Sequence, residues 1–141
     1  MNTQTYPARF DFAFLVLRIA AALVFLYHGS AILFGSFGGP GPVAFAGLLH
    51  APAIMGYLIG LAQFGGALAL LTGILHRVGT VGIMVVMIGA VALVHWPHGF
   101  SVAKNGYEFA LTEFLIALAL FFTGPGRYSL NPVLPEKLRG L

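Results

Sequence analysis

The apolar stretch GYEFALTEFLIALALFFTGPG, residues 106–126, carries two carboxylates, Glu108 and Glu113. Five residues separate them, about 140° around a helix, so they do not make a paired-carboxylate site for general acid–base work. Glu108 stands three residues after Asn105, the spacing of a capping box, and an acid in a first turn suits the helix dipole. Glu113 lies about 10 Å beyond the start of the same segment. In lipid a carboxylate there costs roughly 2.5–3.5 kcal/mol on insertion scales unless it is paired or neutral. Glu113 is therefore expected to face a bundle interior, either as a working group or as a hydrogen-bonded structural one.

Other polar residues stand inside apolar runs. Arg18 lies about 9 Å into the first run, where it either snorkels to headgroups or forms an internal ion pair. His28 is near the far end of that run. Gln63 sits near the middle of the second and suits an interhelical hydrogen bond. His95 and His98 flank Trp96 and Pro97, too few ligands in too broken a pattern for a metal. No metal site is expected. A bis-histidine haem between His28 and His95 is matched in depth, but the sequence does not show the two rings facing, and haem is not expected. The chain has no cysteine, which excludes disulfides, iron–sulfur clusters on thiolates and a thiol relay.

These residues need elements to position them. The chain of 141 residues is 59% hydrophobic and 8% charged, too little polar surface to clothe a soluble globule. An all-α, four-transmembrane-helix bundle is expected, with spans near residues 12–33, 53–75, 78–95 and 106–123. Each run is close to the roughly 20 residues that cross a bilayer. Asp11 is placed as N-cap of the first span. Residues 34–52 form a Gly/Pro-rich loop carrying a short interfacial segment. His76 and Arg77 make a tight turn. With four spans, Arg9, Arg77, Arg127, Lys137 and Arg139 share one side and Lys104 stands on the other. The positive-inside rule then makes both termini cytoplasmic. The net charge of +3 is spread along the chain and is read as topology signal, so no nucleic acid is expected.

Three blocks resemble the DoxX family of small four-helix bacterial inner-membrane proteins. They are RIAAALVFLYHG (residues 18–29), GLAQFGGALALLTGILHR (60–77) and NGYEFALTEFLIALALFFTGPGRYSLN (105–131). The chain departs from the family where Gln63 replaces a usual glutamate and where no lysine follows His28-Gly29. The resemblance implies a multi-pass subunit of the bacterial inner membrane, linked to quinone-coupled redox systems. Such a subunit need not be catalytic itself. It implies a quinone as the cofactor to look for and a redox subunit or a second copy as partner.

Side-chain direction refines the site. Helical side chains lean toward their own N-terminus. Arg18 then leans to the cytoplasm, whereas Gln63 and Glu113, on spans that start outside, lean outward toward His28. His28, Gln63 and Glu113 are expected to form a polar cluster in the outer half of the bundle, with Arg18, His95 and Glu108 as further candidates. Two other functions fit the same residues. One is a small transporter using Glu113 as a proton-linked group. The other is a membrane scaffold or assembly factor.

Overall fold

The computed structural model describes residues 7–141; the first six residues of the N-terminus lie outside the described residues. Five α-helices follow in order: α1 (Ala8–Phe34), α2 (Gly41–Leu48), α3 (Ala53–Thr72), α4 (His76–Gly89) and α5 (Glu108–Thr123). No strand occurs among the described residues. α1 packs on α3, α3 on α4 and α4 on α5, and α1 also touches α5, which closes a four-helix bundle. α2 packs on α3 and is a short helix within the long loop expected at residues 34–52.

Each helix buries one stripe. On α1 it runs Asp11, Arg18, Ala22, Phe25, Gly29, Ile32; on α3 Gly56, Gly60, Gln63, Ala67, Leu70; on α5 Ala110, Glu113, Ala117, Leu120. Steps of three, four and seven keep these residues on one face. The opposite faces are also apolar: Val16, Leu23, Leu58, Leu68, Val85, Leu93, Leu115 and Phe122 are all exposed. Apolar outside and polar groups at core positions is the pattern of a bundle solvated by lipid. Small residues let the backbones close up. A Cβ on Gly66 would come within 2.8 Å of the Ile83 side chain, and one on Gly29 within 2.5 Å of the Phe64 nitrogen.

Three helical segments are long and apolar enough to cross a membrane: Ala8–Phe34, Ala53–Thr72 and His76–His98. The third is composite. α4 runs into a π-helical segment, Ala90–His95, where Trp96 N–H bonds the Val91 carbonyl, and then into a short 3₁₀ turn. α5 has 16 residues, about 24 Å of rise, short of the roughly 30 Å of hydrocarbon.

Several boundaries differ from the sequence expectation. α1 starts at Ala8 behind Pro7, so Asp11 is inside its first turn and is not a cap. α3 ends at Thr72 because Gly73 takes a left-handed conformation at φ 74°. His76 and Arg77 belong to α4, the turn being made by residues 73–75. The expected capping box at α5 is not formed. Asn105 sits at φ 62° inside the preceding turn, and Tyr107 precedes the helix with no side-chain cap. The loop backbone does the capping instead: Gly99 and Phe100 carbonyls accept from Tyr107 and Glu108 N–H at 3.0 and 2.9 Å. Glu108 remains in the first turn, half-buried, where its charge suits the dipole.

Candidate functional site

Arg18 shows how one end of the bundle is tied. Its side chain is fully buried and neither snorkels nor meets a carboxylate. Its Nε donates to the Leu70 carbonyl at 2.6 Å and Nη2 to Leu71 at 2.8 Å. Nη1 donates to both Pro125 and Tyr128, each at 2.7 Å. The last carbonyls of α3 have no intrahelical partner, and a guanidinium with five donors can serve several at once. Arg18 is therefore a clamp on backbone carbonyls, joining α1, the end of α3 and the tail. Neither an ion pair nor a headgroup is its partner.

Two further polar residues serve the same end and carried no site expectation. Asp11 is buried, and its Oδ1 accepts from Arg127 N–H at 3.0 Å. His76 is buried and its Nε2 lies 3.0 Å from the Leu120 carbonyl. A carbonyl only accepts, so Nε2 carries the proton and Nδ1 is left as an acceptor with no partner. All these bonds gather the start of α1, the end of α3, the start of α4 and the tail at one end of the bundle.

Gln63 and Glu113 are both 6% exposed. Gln63 Oε1 and Glu113 Oε2 are buried without a hydrogen-bond partner in the protein. Packing register puts them within about one helical turn of each other in depth. Gly66 meets Ile83 across α3 and α4. His76 meets Leu120 across α4 and α5. Seven residues along each antiparallel helix from that pair, Ile83 stands opposite Glu113. On α1 the matching level is Gly29, which lies against Phe64. Gln63, Ile83, Glu113 and the turn around His28 thus fall in a layer about one helical turn thick. No hydrogen bond joins Gln63 to Glu113 or either to His28 among the described residues. His28 is exposed on the outward face of α1, with its ring edge-on to Tyr27 at 5.3 Å.

The outer-loop residues do different work. His95 Nδ1 lies 2.8 Å from the Asn105 carbonyl and fastens the end of the π-helical segment to the loop before α5. Trp96 stacks on Tyr107 at 5.3 Å beside it. Among the described residues no three His, Asp or Glu side chains gather as a metal site would need.

A model of the DoxX family matches residues 13–96, more than half of the chain. The chain belongs to the DoxX family. No curated protein and no solved structure matches it. The matched region takes in α1 to the π-helical segment, and with it Arg18, His28, Gln63 and His95 of this DoxX bundle. Glu113 lies beyond the matched region and is tied to the layer by packing alone.

A cavity of about 260 Å³ opens in the half of the DoxX bundle nearer α2. It is walled by Phe45 of α2 and Leu49 just after it, Met55, Ile59 and Gln63 of α3, and Met87, Gly89 and Leu93 of the α4 segment, with other apolar residues. Gln63 is the one polar side chain on its wall. An apolar chamber with a single polar group is the usual form of a site for a small lipophilic molecule.

Proposed function

We propose that this DoxX-family membrane protein is a four-span subunit of the bacterial inner membrane that serves a quinone-linked redox system, holding a quinone or similar lipophile at the Gln63–Glu113 layer. One observation carries the proposal. Two side chains able to bond or exchange a proton occupy core positions of α3 and α5 within one such layer, and each keeps a buried oxygen without a protein partner. An unsatisfied buried acceptor costs about 1–3 kcal/mol, which a bound ligand offsets. The proposed orientation places both termini in the cytoplasm, because Arg9, Arg77, Arg127, Lys137 and Arg139 belong to the clamped end and Lys104 to the other. The layer and cavity then lie in the outer half. His28, at the same level on the outer face of α1, is the group available for contact with a redox partner subunit or a second copy.

Purification from the native membrane in mild detergent tests this, with extraction and mass spectrometry of bound quinone. Wild type and Glu108→Gln should retain it, whereas Glu113→Gln and Gln63→Leu should lose most of it without unfolding. Retention by Glu113→Gln and Gln63→Leu alike would refute the assignment. A second reading, proton-linked transport, draws on the same unpartnered Glu113 carboxyl and predicts proton-coupled flux in liposomes that Glu113→Gln removes. A scaffold role predicts that function survives loss of every polar residue in the layer.

A further inference from the structure

The cavity beneath α2 shows more than apolar volume. Three features meet there. First, the π-helical segment Ala90–His95 widens the turn of α4, and with Gly89 it lines one wall. π-Bulges break the side-chain register of a helix and occur often at functional sites. Second, α2 contributes Phe45 to the wall, and Leu49 just after it adds a further apolar side chain. Third, Gln63 is more than nine-tenths buried, lies on the wall, and its Oε1 finds no donor in the protein. Glu113 is not on this wall and does not serve the amide.

We propose that this cavity is a binding site for a small membrane-dissolved molecule with an apolar body and one hydroxyl, the hydroxyl donating to Gln63 Oε1. The chemistry is selective. A buried carbonyl oxygen accepts and does not donate, so a hydroxyl satisfies it, whereas an ether or ester of the same shape leaves it desolvated and unpaired. Phenols and alcohols, including the reduced form of a quinone, therefore bind in preference to their capped counterparts. This deepens the function proposed above and rests on it only in placing a lipophile in this half of the bundle.

The test compares 4-butylphenol with its methyl ether. Binding to the full chain in lipid nanodiscs is measured by isothermal titration, corrected for partition into empty discs. The phenol should bind about tenfold more tightly than the ether, as expected for a buried hydrogen bond gained or lost. In Gln63→Leu the two should bind alike. Gly89 offers a second variant: it lines the cavity, and a Cβ built there meets no atom within 4 Å. Gly89→Leu should fill the space at little cost to folding and weaken both ligands about tenfold or more. Equal binding of phenol and ether to wild type overturns the proposal, as does selectivity that persists in Gln63→Leu or phenol binding that is unchanged in Gly89→Leu. Selectivity intact in a protein that retains no quinone removes the redox function and leaves this site. Quinone retained by a wild type without phenol selectivity does the reverse.

Discussion

Replacing Arg18 by leucine should cost this bundle more than any other single change at the clamped end. Four carbonyl oxygens, of Leu70, Leu71, Pro125 and Tyr128, lie 2.6–2.8 Å from its nitrogens. A hydrogen bond to a charged group contributes about 1.5–3 kcal/mol, so four taken at face value give roughly 6–12 kcal/mol. The sum overstates the loss. Bonds sharing one guanidinium are not additive, and water reaching the Pro125–Tyr128 side recovers part of it. The expected destabilisation is about 3–5 kcal/mol, a factor of roughly 150 to 5,000 in the folding equilibrium. Arg18→Lys should recover less than half, because one ammonium has three donors and no planar fork to span four acceptors. Reversible unfolding in mixed micelles, followed by the fluorescence of Trp96, measures both. A loss below about 0.5 kcal/mol for Arg18→Leu would refute the clamp.

Other outcomes follow from the same geometry. Asp11→Ala should free the segment around Arg127, costing about 1 kcal/mol and raising its protease sensitivity, while leaving ligand binding unchanged. Gly66→Leu should destabilise strongly, since its first added carbon already stands 2.8 Å from Ile83; an unchanged melting temperature would contradict the α3–α4 packing. Glu108→Gln should cost only about 0.3–1 kcal/mol, the dipole contribution of a first-turn acid, measured by the same unfolding assay. Cysteines placed at Ser36 and Ser101 should react with an impermeant thiol reagent applied outside cells, and one at Ser129 should not. The opposite pattern would invert the proposed topology.

The bundle was legible because apolar runs of spanning length are hard to hide, and because Gln63 and Glu113 fall in step with glycines and alanines every three to four residues. Their burial at core positions follows from that periodicity. The roles of Arg18, Asp11 and His76 were not legible for a common reason: their partners are backbone. A carbonyl of Leu70 or an N–H of Arg127 has no residue type to search for. The only trace was punctuation, Gly73 and the Gly124-Pro125-Gly126 run, marking where carbonyls would be left free. Arg18 was weighed against carboxylates and headgroups, and the third class of acceptor was the one used. No pattern in α1 fixed which face His28 takes. The cavity depended on the π-helical segment and on the seat of α2, both products of tertiary packing.

The clamp also bears on how the chain is made. Arg18 is in α1, and two of its acceptors, Pro125 and Tyr128, leave the ribosome 107 and 110 residues after it. α3 supplies Leu70 and Leu71 only once it is itself inserted. Until then a guanidinium in the first span has no acceptors in this chain, at a cost of roughly 2.5–3.5 kcal/mol on insertion scales. Membrane entry of α1 is thus provisional, leaning on the translocon or on water, and becomes irreversible as the tail folds back. Truncation before residue 125 should leave a chain that quality-control proteases recognise, because its first helix still carries an unanswered charge.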